Sequence, residues 1–189
     1  MLVTTPDFPV DRADITQVAA ELSRAGVMLR RAKAADILFL RQLYSETRAA
    51  ELAVFGWSET ARTQFLNSQF DLQHRHYVNH YADADFLMLE QDKKVIGRLY
   101  LQRTAPDFLI VDISLLQRAQ GTGIGSRLIV AVQKLAAAAD CGVQLHVDRR
   151  NLGAQRLYRR LGFVLVDHET AQAYLRMQWR ANALAPLTH

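Results

Sequence analysis

The chain has 189 residues, half of them hydrophobic and 22% charged, which is typical of a globular protein with a substantial core. Its net charge of +4 suits a polyanionic small molecule but is too low to indicate a nucleic-acid-binding protein. The single cysteine, Cys141, excludes an intrachain disulfide and a CxxC metal site. No apolar stretch approaches the ~18 residues of a membrane span, and no signal peptide is evident, so we expect a cytoplasmic protein.

The hydrophobic pattern predicts helices and strands that alternate along one domain. A short helical pattern that ends at Gly26 marks residues 1–26 as an N-terminal extension, and residues 181–189 form a C-terminal tail. Between them, in chain order, the spacing of apolar residues and turns predicts strand 27–31, helix 34–54, helix 58–81 with Ser58 as its N-cap, strands 85–90, 95–102 and 108–116, helix 124–139, strand 143–148, helix 151–161, and strands 163–166 and 173–179. This order predicts a mixed α/β sheet in a single domain over residues 27–180.

Residues 120–125, Gln-Gly-Thr-Gly-Ile-Gly, form a glycine-rich loop between a predicted strand and a predicted helix. Free N–H groups and the positive end of a helix dipole make such a loop an anion site. A P-loop would need Lys-Ser/Thr after the last glycine, whereas Ser126 and Arg127 follow it here. A dinucleotide-binding loop would need the third glycine one residue later and an acidic residue about 20 residues on. The loop predicts a phosphorylated ligand of another kind.

Three motifs together resemble one family. The loop matches the pattern Gln/Arg-x-x-Gly-x-Gly/Ala at Gln120, Gly123 and Gly125. Residues 151–163 match Asn-x-x-Ala, Leu-Tyr and Leu-Gly-Phe in order, and residues 174–179 resemble a closing strand. On these motifs the chain resembles the GNAT superfamily of acyl-CoA-dependent N-acetyltransferases. The resemblance implies a mixed, mostly antiparallel sheet flanked by helices, with a splayed central strand pair.

The resemblance also implies a binding site for acetyl-CoA as co-substrate, with no metal. The loop would clasp the diphosphate, peptide groups freed where the central strand splays would pair with the pantetheine arm, and Asn151 would bind that arm. The residues implied to contact the cofactor are Leu115, Leu116, Gln120, Gly121, Thr122, Gly123, Ile124, Gly125, Ser126, Asn151, Ala154 and Tyr158.

Tyr158 is the implied catalytic acid, donating its hydroxyl proton to the thioester sulfur. A phenol with a pKa of about 10 stays protonated at neutral pH and can protonate a thiolate whose conjugate acid has a pKa of about 8.5. The alternative is that Tyr158 only holds its helix against the core.

The sequence leaves the base open. Asp112 is the one carboxylate inside the predicted central strand and shares a face with Ser114, so it is a candidate base, but a structural hydrogen-bonding role fits equally well. His146 and Asp148 on the next strand are weaker candidates. The histidines at 74, 76 and 80 raise a metal hypothesis, but without a third ligand at suitable spacing we expect a solvated or aromatic-packed helix face.

These features predict an N-acetyltransferase that moves an acetyl group from acetyl-CoA to a primary amine, on a small molecule or a peptide, by direct attack in a ternary complex. The alternative is a non-catalytic acyl-CoA-binding regulatory domain of the same fold, because a fold alone does not establish activity. We expect neither nucleic acid nor membrane as a partner, and the resemblance suggests a homodimer.

Overall fold

The computed structural model describes residues 5–9, 16–23, 26–166 and 173–181. Its helices are α1 (Thr16–Ser23), α2 (Ile37–Leu52), α3 (Glu59–His80), α4 (Ile124–Ala138) and α5 (Leu152–Arg160). Its strands are β1 (Met28–Arg31), β2 (Asp85–Gln91), β3 (Lys94–Gln102), β4 (Asp107–Leu115), β5 (Gly142–Asp148), β6 (Val164–Leu165) and β7 (Tyr174–Trp179). Short 3₁₀ turns occupy Ala34–Asp36, Ala53–Phe55 and Gln117–Ala119.

The strands form one seven-stranded sheet in the order β1-β2-β3-β4-β5-β7-β6. Neighbouring strands are antiparallel except for the parallel pair β4–β5. The predicted fold class, a mixed and mostly antiparallel sheet flanked by helices, is confirmed. None of the helices among the described residues has the length and apolar character needed to span a bilayer.

Most predicted elements lie within two residues of the observed ones. Ser58 is the N-cap of α3 as predicted, and its Oγ accepts a hydrogen bond from the Ala61 N–H at 3.2 Å. The predicted helix 34–54 is divided, because the Asp36 carboxylate turns back to the Lys33 N–H (2.8 Å) and to Arg30, which leaves a tight first turn before α2.

Two hydrophobic clusters cover opposite faces of the sheet. The main cluster joins Val18 and Leu22 of α1 to side chains of α4, α5 and the strands, including Leu87 and Leu89. Met88 points the other way, as alternation along a strand requires, and packs with a second cluster from α2 and α3. We call these the α4/α5 face and the α2/α3 face. Because Val18 and Leu22 are fully buried, α1 belongs to the core although it precedes residue 27.

His74 is buried on the α2/α3 face, where it is 1% exposed. Its Nε2 lies 2.9 Å from the Pro6 carbonyl oxygen, and its ring stacks on Phe70 and meets the edge of Phe8. Nδ1 is buried and has no hydrogen-bond partner among the described residues. Burial lowers the pKa of His74, and the nearby charge of Arg98 acts in the same direction.

The other two histidines of the metal hypothesis lie elsewhere on α3. His76 and His80 are exposed, and their ring centroids are 4.1 Å apart. The helix thus turns His74 and this pair to different faces. Among the described residues no group of three His, Cys, Asp or Glu side chains is placed to hold a metal ion.

We expect the free energy of unfolding to fall as the pH drops from 7 to 5. An unfolded histidine, with a pKa of about 6.5, binds a proton that buried His74 resists, so this contribution is complete above that pKa and is lost as the pH falls through it. In His74→Gln, the new amide can still donate to the Pro6 carbonyl but does not titrate. The part of the pH dependence of the unfolding free energy that His74 contributes should therefore vanish. Urea unfolding at pH 5, 6 and 7 measures it, with exposed His76→Gln as the control; identical slopes in wild type and His74→Gln would contradict this account.

Candidate functional site

Strands β4 and β5 part in the middle of the sheet. Their pairing ends at Ile110 and Leu145, although β4 continues to Leu115 and β5 to Asp148. Beyond this point β4 remains paired with β3, and β5 with β7. A wedge-shaped gap therefore opens between the two central strands, with unpaired backbone along its β4 edge.

A bulge in β4 lies where the gap begins. The register with β3 shifts between Tyr100 and Leu101, which pair with Asp112 and Ile110, so Val111 is the extra residue. Ile110 packs in the main cluster on the α4/α5 face. Without the bulge Asp112 would share that face; with it, Asp112 turns to the α2/α3 face.

The peptide groups at the end of β4 are not equally free. The Leu116 N–H donates to the Ile96 carbonyl oxygen at 2.9 Å, and the Leu116 carbonyl accepts from the Ala119 N–H. Antiparallel pairing then turns the N–H and carbonyl of Leu115 toward the gap. The Leu115 carbonyl accepts the side-chain amide of Gln120 at 2.9 Å. The expectation of free peptide groups is therefore wrong for Leu116, because β3 still pairs there, and holds for the N–H of Leu115.

The glycine loop adopts the backbone that an anion site needs. Gly121 and Gly123 have φ of +74° and +83°, in the left-handed region that favours glycine. Gly123 directly precedes α4, and no side chain caps that end of the helix. The first N–H groups of α4, from Ile124 to Ser126, have no acceptor within the helix and lie at its positive end. A Cβ on Gly125 would lie 3.8 Å from the Leu115 side chain, so the loop adjoins the gap.

Helix α5 borders the gap from the α4/α5 face. Asn151 precedes the helix, and its Oδ1 accepts from the Ala154 N–H at 3.0 Å, which leaves the side-chain NH₂ to donate elsewhere. Tyr158 lies two turns further on and is 7% exposed, with its ring against Phe163. Burial, and then the charge of Asp112, raise the pKa of Tyr158 to about 12. A Cβ on Gly125 would lie 3.9 Å from the neighbouring Leu157 side chain and 3.8 Å from that of Leu115, so this part of α5 lies beside the end of β4.

Asp112 accepts hydrogen bonds at all four of its lone-pair positions. Arg98 donates from Nε to Oδ1 at 2.9 Å and from Nη2 to Oδ2 at 3.0 Å. The Tyr77 hydroxyl donates to Oδ2 at 3.0 Å, and the Ser114 hydroxyl to Oδ1 at 2.8 Å. A base needs a free lone pair, and this carboxylate has none left. Of the two roles that the sequence left open for Asp112, the geometry favours the structural one.

Arg98 is the buried partner of this carboxylate and was not among the residues predicted from the sequence. It is 3% exposed, its Nη2 also donates to Gln73 Oε1 at 3.0 Å, and its guanidinium lies 5.0 Å from the centroid of the Tyr100 ring. Burial opposes its charge, but the attraction of Asp112 outweighs this and raises the pKa of Arg98. A charged residue within the apolar run 95–101 was the available signal, since such a residue needs a buried partner.

The other two candidate bases lie on β5 beyond Leu145, in the parted segment. Asp148 accepts the Arg150 N–H at 2.7 Å, and that hydrogen bond, more than any other cause, lowers the pKa of Asp148. His146 is exposed. The structure thus brings the glycine loop, Leu115, Tyr158 and these β5 side chains to the borders of one gap.

The sequence profile of the acetyltransferase (GNAT) family matches residues 40–163. A mycothiol acetyltransferase from Streptomyces griseus is 30% identical over 110 residues, which are 57% of this chain and 35% of that protein. The chain therefore matches about a third of the length of this curated relative.

Solved structures share the fold at lower sequence identity. PaiA N-acetyltransferase from Thermoplasma acidophilum, in complex with coenzyme A, superposes with a TM-score of 0.62 and 19% identity, covering 82% of this chain and 98% of that one. The ribosomal-protein-S18-alanine N-acetyltransferase from Escherichia coli gives a TM-score of 0.56 and 16% identity, covering 86% of this chain and 99% of that one. At these identities the likeness shows a common fold.

We expect Asp112→Asn to lower the free energy of unfolding by about 3–5 kcal/mol, because the substitution leaves the buried Arg98 charge uncompensated. Replacing both charges, in Arg98→Leu with Asp112→Leu, should cost less than either single change. Urea unfolding measures the three single variants and the double variant, and Glu51→Gln, in an exposed ion pair with Arg48, is the control with an expected effect below about 1 kcal/mol. A fully stable Asp112→Asn protein would show that the pair is not a structural unit.

Proposed function

Because the chain belongs to the acetyltransferase (GNAT) family, we propose that it transfers an acetyl group from acetyl-CoA to a primary amine by direct attack in a ternary complex. One observation carries the proposal: the uncapped end of α4, after two left-handed glycines, adjoins the gap into which the Leu115 N–H points. An uncapped helix end next to an open strand edge suits a ligand with a diphosphate and an extended amide arm.

We assign the cofactor-binding residues by the polar groups that each of them has free to bind a ligand. The loop from Gly121 to Ser126, with Thr122 and Ile124 inside it, offers backbone N–H groups to the diphosphate. The Leu115 N–H offers a strand-like hydrogen bond to a pantetheine carbonyl. Gln120 holds the loop to the end of β4 through one N–H of its amide, and its other amide groups can still contact the ligand.

At the start of α5, the side-chain NH₂ of the N-cap residue Asn151 can donate to the same arm, while its oxygen accepts the Ala154 N–H. Ala154, one turn further on, is small and leaves room for the arm beside the helix.

Two findings support this ligand and this kind of acceptor. The structure from Thermoplasma acidophilum was solved in complex with coenzyme A. At 19% identity, it shows only that the two chains share a fold. The Escherichia coli structure is named for acetylating an alanine of a ribosomal protein, and the Streptomyces griseus relative for mycothiol. We propose an amine acceptor on a peptide or a small molecule.

The chemistry follows from what the residues can hold. Bound acetyl-CoA supplies the reactive thioester. The amine nitrogen forms a bond to the acetyl carbon, the carbon–sulfur bond breaks, and Tyr158 gives its hydroxyl proton to the departing thiolate. The surplus proton of the amine passes to water, and the Tyr158 phenolate regains a proton from water, so no net proton is released. With a pKa of about 12, Tyr158 carries that proton at neutral pH. Asp112 takes no proton, because its four acceptor positions are filled.

We expect Gly123→Glu to abolish the stabilisation of the protein by acetyl-CoA, because a carboxylate would then stand at the diphosphate site in a left-handed backbone position. At about 100 times its Kd, acetyl-CoA should stabilise the wild type by about 2.7 kcal/mol, measured by thermal or urea unfolding. Gly26→Glu is the matched control, since Gly26 also has a positive φ (+70°) with open space around its Cβ position and lies at the end of α1. Equal ligand stabilisation in all three proteins would refute the assigned diphosphate site.

We expect Tyr158→Phe to lower kcat about 100-fold or more while the Kd for acetyl-CoA stays unchanged, because the hydroxyl acts on the leaving thiolate. The rate of thiol release with spermidine, an alanine N-terminal peptide, an aminoglycoside and free amino acids measures turnover. No alkaline loss of activity from this residue should appear below pH 10, given its raised pKa. Tight acetyl-CoA binding by the wild type without thiol release with any amine would favour the non-catalytic acyl-CoA-binding domain instead.

A further inference from the structure

We propose that Ser114 positions the acceptor amine by accepting a hydrogen bond from its N–H group, and that the Arg98–Asp112 pair orients Ser114 for this task. The inference rests on the proposed acetyl transfer and names the residue that holds the nucleophile. Ser114 is a positioning residue here, and no proton passes through it to Asp112.

The hydroxyl proton of Ser114 is already used in a hydrogen bond. Its hydroxyl donates to Asp112 Oδ1 at 2.8 Å, and Asp112 is held as a carboxylate by two hydrogen bonds from Arg98. A serine hydroxyl has one proton and two lone pairs, so the oxygen retains only acceptor capacity. Tyr77 and Arg98 bind the far side of the carboxylate, and this limits its rotation.

An oxygen that can only accept suits an amine nucleophile. A neutral amine must keep its nitrogen lone pair free for the acetyl carbon, so it can be held only through its N–H groups. A freely rotating hydroxyl could donate to that lone pair and block the attack. Because Asp112 takes the Ser114 proton, this competing hydrogen bond is removed.

Ser114 also lies on the side from which the amine must come. It is half-buried in the segment of β4 that has left β5, directly before Leu115. Asp112 and Ser114 lie on the α2/α3 face, whereas Tyr158 packs in the main cluster on the α4/α5 face. A thioester lying along the β4 edge would have the Tyr158 hydroxyl on its α4/α5 side and the Ser114 oxygen on its α2/α3 side. The nucleophile then attacks from the α2/α3 side.

The test compares Ser114→Ala with the wild type at varied amine concentration, with thiol release as the measured rate. The amine is whichever of spermidine, an alanine N-terminal peptide, an aminoglycoside or a free amino acid the wild type acetylates fastest. We expect kcat/KM for the amine to fall about tenfold, as for one lost hydrogen bond of ordinary strength. The Kd for acetyl-CoA should be unchanged, and Ser114→Thr, which keeps the hydroxyl, should remain within about threefold of wild type.

The matched control is Ser68→Ala, which removes an exposed hydroxyl on α3 that bonds only the Phe65 carbonyl, and it should leave the kinetics unchanged. Wild-type kcat/KM in Ser114→Ala would overturn the inference and leave the proposed acetyl transfer standing. A parallel loss of acetyl-CoA affinity would also overturn it, because Ser114 would then be supporting the cofactor site. If the wild type releases no thiol with any of these amines, the proposed function fails, and this inference with it.

Discussion

The charge pair between Arg98 and Asp112 lies inside the α2/α3 face of the sheet, at the point where β4 stops pairing with β5. Removing two charges from water is costly, and such a pair is tolerated only when its remaining hydrogen-bonding positions are filled. Here Tyr77 and Ser114 fill those of Asp112, and Gln73 accepts a further hydrogen bond from Arg98. All of these bonds tie β4 to itself, to β3 and to α3, and none reaches β5. The pair therefore holds β4 on its own side of the gap, and the candidate site is the space that results.

The two faces of the sheet present different chemical groups to the gap. Along the α4/α5 face lie backbone N–H groups, an uncapped helix end and a tyrosine that stays protonated, which suit an anionic carrier and its leaving thiolate. On the α2/α3 face the Ser114 hydroxyl directs its proton at Asp112, so that its oxygen can only accept. The bulge at Val111 produces this division, since it turns Asp112 and Ser114 away from the face of Ile110.

The sequence predicted most of the fold and the loop half of the site. Ser58 caps α3 and the glycines at 121 and 123 take left-handed backbone, because capping and positive φ depend on a few neighbouring residues. The spacing of apolar residues located the strands because it, too, depends only on neighbouring residues. The stacking of His74 on Phe70 within α3 fits the expected aromatic-packed helix face. The sequence did not reveal that Phe8 would also pack on this ring, since that contact joins residues more than 60 positions apart.

The amino-acid sequence alone therefore determined the glycine loop, its position between a strand and a helix, and the family to which the chain belongs. Only the tertiary structure decided that Leu116 is still bonded to β3 while Leu115 faces the gap, and that Asp112 is held by Arg98. Both outcomes depend on the register between β3 and β4, and one bulged residue changes which side chains and peptide groups face the gap. Register is a property of two paired strands, so periodicity within either strand cannot reveal it.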